Sequence, residues 1–164
     1  MFKTVILTTS LLAGAAAAMA QDATFQTKSL TPETALMAAR AAMDSCRKSG
    51  YQVTVAVVDR AGLTQVLLRD RFAGPHTIDV AVNKAWTASS MRMSSAAFGV
   101  ETQPGKPMSG LRAHPRVMAA GGGLPIEAGG SMLGSIGVSG APGGEADEAC
   151  AQAGIKVIAD ALEF

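Results

Sequence analysis

Tyr51-Gln52-Val53-Thr54-Val55-Ala56-Val57-Val58, followed by Asp59-Arg60-Ala61-Gly62 and Leu63-Thr64-Gln65-Val66-Leu67-Leu68-Arg69, decides the class of this fold. The first run is β-branched and apolar, which predicts a largely buried strand; the four residues after it are turn formers, and Leu63 to Arg69 predicts the returning strand of a β-hairpin. Working backwards, Thr31-Pro32-Glu33 is a helix start, with Thr able to cap, Pro suited to the first helical position and Glu to the positive end. Leu36, Ala39, Met43 and Cys46 then share a face, and Gly50 can close that helix in a left-handed conformation. Working forwards, Asp70 to Pro75 reads as a polar loop. Thr77 to about Met91 reads as a helix with Ile78, Val82, Ala85, Trp86 and Ser89 on one stripe and Thr77 as its cap, and Ser94 to Phe98 as a shorter helical piece. Thirteen of the 18 glycines fall between residues 99 and 144, too many for helix. Within that stretch Arg116 to Ala120, Leu124 to Ile126 and Ser131 to Ser139 read as short strands. Gly134, Gly137 and Gly140 repeat every third residue, a spacing that suits close backbone approach. Glu145 to Leu162 is the closing helix. The order is an α+β layout, without repeat or linker.

The chain of 164 residues, 48% apolar and 16% charged, is sized for one domain with its own core and is not a polyelectrolyte. Fourteen basic residues face 13 acidic ones, and only 4% are aromatic. Neither a cationic footprint nor base-stacking platforms are indicated, so nucleic acid is not an expected partner. At the front, Lys3, the apolar stretch from Val5 to Ala13 and the small-residue site Ala18-Met19-Ala20 predict a secretory leader over residues 1–20, cut after Ala20. Thr8, Thr9 and Ser10 interrupt an apolar run too short to span a bilayer. The expectation is a single exported domain over residues 21–164, periplasmic or secreted. In an oxidising compartment Cys46 and Cys150, the only cysteines, can form a disulfide; two buried thiols are the alternative.

Chemistry-bearing residues are few. His76 stands between the Gly74-Pro75 turn and the Thr77 helix, either as a surface histidine or as a ligand to iron, for which neutral imidazole is a common axial donor. His114, before Pro115, reads as a loop residue. Neither belongs to a Cys-x-x-Cys-His sequence, so covalent haem attachment is excluded. Arg69, Arg71 and Lys84 surround the His76 loop; they form an ordinary solvated face or a set of cations for a carboxylated ligand. Met91, Met93, Met108, Met118 and Met132 read as core or gap-filling residues, although a thioether also ligates haem iron. Gly137-Val138-Ser139-Gly140-Ala141 departs from a hydrolase elbow at its fifth position. Gly121-Gly122-Gly123 lacks the Lys-Ser/Thr of a phosphate loop. No paired carboxylates stand out, so an enzyme is not the expected class.

Val55-Ala56-Val57-Val58-Asp59-Arg60-Ala61-Gly62, Gly74-Pro75-His76-Thr77 leading into Lys84-Ala85-Trp86-Thr87-Ala88, Gly122-Gly123-Leu124-Pro125-Ile126 and Leu133 to Ala141 occur in an order and spacing that resembles the GlcG/HbpS-like haem-binding proteins. The same unit forms the C-terminal domain of PduO. The resemblance spans roughly Leu30 to Leu162. It implies a profilin-like α+β fold with a central antiparallel sheet flanked by helices, homo-oligomerisation, and non-covalent binding of haem b or a related tetrapyrrole. For an exported member it implies haem sensing or sequestering, with a membrane sensor as partner. The site residues expected are His76 as iron ligand, Thr77 and Lys84 as pocket neighbours, and Arg69, Arg71 or Lys84 for the propionates, with Ile78, Val82 or Trp86 as an apolar wall. The competing reading is a non-enzymatic accessory subunit or small-molecule sensor that acts through a partner without haem. A redox or catalase-like use of bound iron lacks an evident distal acid–base pair.

Overall fold

The computed structural model describes residues 24–162; the expected leader, residues 1–20, lies outside them. Helix α1 (Pro32–Lys48) leads into the hairpin β1 (Thr54–Asp59) and β2 (Thr64–Arg69). Helices α2 (Thr77–Met91) and α3 (Ser95–Glu101) and a short 3-10 turn (Ser109–Ala113) follow. Strands β3 (Gly123–Ala128) and β4 (Ser131–Ser139), helix α4 (Gly144–Ile158) and a last 3-10 turn (Asp160–Leu162) complete the chain. The four strands form one antiparallel sheet in the order β2-β1-β4-β3, flanked by helices in an α+β architecture.

Local chemistry sets the element ends. Thr31 Oγ1 accepts the Thr34 N–H at 3.2 Å to cap α1. At its other end Gly50, at φ +82°, donates to Arg47 O (2.9 Å) while Tyr51 N–H reaches back to Cys46 O (2.9 Å), the paired bonds of a left-handed helix stop. In the hairpin, Asp59 Oδ1 accepts from Ala61 N (2.8 Å) and Leu63 N (2.9 Å) and so fixes the turn.

The two central strands bury both faces. Val55 and Val57 of β1, with Ile136 and Val138 of β4, pack under α1 and α4. Those helices run antiparallel: Gly154 of α4 lies against Ala38 and Ala42 of α1, and Cys46 is disulfide-bonded to Cys150 across a Cα separation of 5.5 Å. The buried stripe of α1 is Ala35, Ala38, Ala39, Ala42, Met43 and Cys46, with Leu36 at its margin.

The opposite face carries α2, and here the expected stripe shifts. The helix buries Thr77, Ala81, Lys84, Ala85 and Ala88, whereas Ile78, Val82 and Trp86 are only half-buried. The sheet beneath is built for backbone approach. Gly123 and Gly137 are register partners on β3 and β4; a Cβ on the first would strike Lys84 O and on the second Ala81 O and Ala85 N. A helix seated this low accommodates alanines centrally and pushes larger side chains to its flanks.

The strand expected over Arg116 to Ala120 does not form. Side chains satisfy that backbone instead, with Met118 N–H donating to Thr87 Oγ1 (2.9 Å) and Ala120 O accepting from Ser95 Oγ (2.6 Å), so no sheet ladder is needed there.

Candidate functional site

At the end of the sheet where β1 begins and β2 and β4 end, a cleft of about 460 Å³ opens beside the first turns of α2 and α4. Three chain segments wall it: Gly50 to Gln52 after α1; Phe72, Gly74, His76 and Thr77 from the loop into α2; and Ser139 to Pro142 after β4, with Asp147 of α4 behind them. Two aromatic side chains, Tyr51 and Phe72, give it apolar surface, and Phe72 is 78% exposed. Its volume lies within the range of small-molecule sites. A second hollow of about 360 Å³ contains Glu145 and Glu148 and no imidazole, a poor match to an anionic ligand.

His76 occupies the position that opens α2, yet its side chain makes no capping hydrogen bond. The ring packs onto Gly74, where a Cβ would stand 2.7 Å from His76 Cε1 and 2.9 Å from Nδ1; Nε2 is the more distant nitrogen at 3.9 Å. Glycine at 74 is what lets the imidazole lie there. Thr77 is buried rather than capping: its hydroxyl donates to Gly74 O (2.6 Å) and lies 2.7 Å from Thr54 Oγ1. It therefore ties the His76 turn to β1.

Lys84 departs from the expectation of a rim cation. It is 4% exposed, and its Nζ donates to Asp147 Oδ2 (2.7 Å) and Val138 O (3.0 Å). Asp147 Oδ1 accepts the Ala141 N–H at 3.0 Å, which anchors the Ser139–Pro142 wall. Burial pushes the Asp147 carboxyl up against the opposing pull of the Lys84 ammonium and the Ala141 N–H. Lys84 thus braces the site from below instead of reaching into it.

Arg69 and Arg71 flank the loop but are not among the residues that wall the cleft. The Arg69 guanidinium donates to Ala73 O; Arg71 is exposed, and its backbone N–H donates to Asp70 Oδ1 (2.9 Å). Asp70 itself is 3% exposed and receives Arg47 as a two-pronged partner, Nε to Oδ2 at 2.6 Å and Nη2 to Oδ1 at 3.1 Å. His114 stands apart from the cleft, stacked on Trp86 with centroids 5.1 Å apart and planes 5° from parallel, while Arg116 lies 4.7 Å from the same ring centre. No methionine walls the cleft, and among the described residues no three His, Cys, Asp or Glu side chains gather as a metal site. No described helix is long and apolar enough to cross a membrane.

Sequence reasoning missed Tyr51, Gln52, Phe72 and Asp147. The signals were present but thin: Tyr51 is the sole tyrosine and follows a helix-ending glycine, and Asp147 reads equally well as a first-turn acid. The Gln52 Oε1 atom is buried behind this wall without a hydrogen-bond partner in the protein.

The family model for the haem-degrading protein HbpS-like group matches residues 30–156, most of the chain and the whole of the cleft. The chain belongs to the HbpS-like family. Among solved HbpS-like structures, a double mutant of HbpS from Streptomyces reticuli has a TM-score of 0.78 at 35% identity, covering 96% of this chain and 98% of that one. The ORFY protein of Klebsiella pneumoniae has a TM-score of 0.79 at 30% identity, covering 83% and 94%. PduOC, solved as a complex with haem, has a TM-score of 0.75 at 30% identity, covering 79% and 95%. Among curated sequences, a 15.0 kDa protein from the dhaT-dhaS intergenic region of Citrobacter freundii is 36% identical over 90 residues, 54% of this chain and 63% of that protein. The corrinoid adenosyltransferase PduO of Salmonella typhimurium is 32% identical over 103 residues, 62% of this chain. The match spans only 31% of PduO, so this chain corresponds to a part of that enzyme.

Proposed function

We propose that this protein binds haem b non-covalently in the cleft between Tyr51, His76 and Pro142, and that it is exported to sense or sequester it. The observation that carries the reading is the placement of one imidazole and two aromatic side chains, Tyr51 and Phe72, in a single cleft. A porphyrin needs an apolar wall, an axial donor and polar partners at its edge, and these residues fit that need. Tyr51 and Phe72 supply flat surface, and His76 Nε2, the nitrogen turned from Gly74, is the candidate donor to iron. Thr77 holds the turn that presents it. Arg71, exposed on the same loop, is the candidate partner for a propionate at the rim. Arg69 is held by the Ala73 carbonyl and Lys84 by Asp147, so both act on the walls of the cleft. PduOC as a haem complex supports this reading.

Homo-oligomerisation and action beside a membrane sensor belong to the same proposal. Leu67 on the edge strand β2 and Leu63 just before it, 41% and 64% exposed, support an assembly of copies. Titration of protein from residue 21 onward with hemin tests the central claim. A Soret band should develop in the wild type and in His114→Ala, and be shifted or weakened in His76→Ala. Identical spectra for all three proteins would remove His76 from the site, and no band in any would end the haem reading.

A further inference from the structure

The loop that offers Phe72 and His76 to the cleft is short and has few bonds of its own. From Asp70 to Thr77 it is held at both ends. Asp70 N–H donates to Val53 O (2.9 Å), Ala73 N–H to Asp70 O (3.1 Å), and Thr77 N–H to Gly74 O (3.1 Å). From α1, Arg47 reaches this loop, its guanidinium forked onto both oxygens of Asp70. The geometry is unusual in its asymmetry, since the carboxylate is 3% exposed while the Arg47 side chain is 47% exposed. A fork of this kind fixes orientation as well as distance, which a point charge does not. Its anchor is firm, because the preceding residue on α1 is Cys46, bonded to Cys150 of α4. Asp70 Oδ1 also accepts the Arg71 N–H, so the carboxylate directs the chain at the point where it turns toward Phe72.

We propose that Arg47 is a positioning residue: forked onto Asp70, it locks the loop in the shape that holds His76 and Phe72 at the cleft. This rests on the haem reading above. Arg47 touches no ligand; it raises the fraction of molecules whose cleft is ready to bind. An apparent dissociation constant scales inversely with that fraction, so a loop that is correctly shaped one time in ten binds about tenfold more weakly.

The test uses two variants. Arg47→Lys keeps the charge without the fork, and Arg47→Met combined with Asp70→Asn removes the fork without stranding a buried charge. Hydrogen exchange of the haem-free proteins is followed at the amides of residues 71 to 77 and, as reference, at Val55 to Val57. Hemin titrations run beside it. The double variant should unfold cooperatively, exchange its loop amides about tenfold faster against an unchanged β1, and bind hemin about tenfold more weakly with the Soret position of the bound form retained. Arg47→Lys should fall between it and the wild type. Loop exchange and hemin affinity within twofold of wild type would overturn the proposal, as would acceleration spread equally over β1, which marks a merely structural role. If the wild type itself ignores hemin, the haem reading fails. Loop exchange then decides the lock alone: faster exchange upholds it and unchanged exchange overturns it.

Discussion

Replacing Lys84 by methionine should produce the largest single-site loss of stability in the α2 face. The ammonium and the Asp147 carboxylate are 2.7 Å apart, with side chains 4% and 5% exposed. At an effective dielectric near 20 their attraction is about 6 kcal/mol, set against the cost of removing both ions from water. Lys84→Met abolishes the attraction but leaves the carboxylate buried, a change that typically costs about 3–5 kcal/mol. The lower end is expected, because the Ala141 N–H still donates to Asp147 Oδ1. Urea denaturation at pH 7 with the disulfide intact measures the loss, and a double-mutant cycle with Asp147→Asn isolates the pair. The double variant should be more stable than the sum of the single losses allows, by about 1–3 kcal/mol. The pH dependence gives a second check. Burial already raises the Asp147 carboxyl, and loss of the ammonium raises it further. A carboxyl raised on folding favours the folded state in acid and loses that advantage as pH rises through its folded pKa. The defect of Lys84→Met should therefore shrink as pH falls from 7 toward the unfolded carboxyl value of about 3.9. A loss under 0.5 kcal/mol (on the order of a neutral surface substitution), or strict additivity in the cycle, would refute the reasoning.

Three further outcomes follow from the same geometry. Gly137→Ala should destabilise by about 1–3 kcal/mol, because its Cβ would press on Ala81 O and Ala85 N, whereas Gly110→Ala, with open space around it, should leave the urea midpoint nearly unchanged. Reducing the Cys46–Cys150 disulfide, which closes a sequence separation of 104, should lower stability by about 2–5 kcal/mol, read as a midpoint shift with and without dithiothreitol. The Arg47 guanidinium beside Asp70 holds that carboxyl below its usual value; a depressed carboxyl stabilises above its unfolded pKa of about 3.9 and ceases to as pH falls through the folded value. Asp70→Asn should thus flatten the acid limb of a stability–pH curve below about pH 4 and leave the slope from pH 6 to 8 unchanged.

Much of the architecture was readable because its signals are local. The hairpin announces itself by β-branched runs around Asp59 to Gly62, α2 begins and ends where the pattern changes, and Ser131 to Ser139 stands out against its glycines. The displaced stripe on α2 was not readable. Periodicity ranks Ile78, Val82 and Trp86 as core, and only the approach of Gly123 and Gly137 reverses that order in favour of alanines. The same limit governs the cleft. His76 and Thr77 sit together because they are neighbours in sequence, while Tyr51, Gln52, Ser139 and Asp147 join them only through strand order. The Lys84–Asp147 pair, 63 positions apart, and the Arg47–Asp70 fork, 23 apart, are likewise long-range facts. Lys84 read as a solvated cation because charge burial depends on a partner that spacing does not reveal.

The stack of His114 and Arg116 on Trp86 has a practical consequence. Trp86 is the sole indole in the chain, and its flanks come from the glycine-rich stretch that lacks a sheet ladder, while its own backbone belongs to α2. Tryptophan emission from this protein therefore has a single origin, a fluorophore fixed to the rigid frame and shielded by the least regular segment. Peeling away of that segment, by partner or mild denaturant, would be visible optically without a label, once excitation is set to the red of Tyr51 absorption.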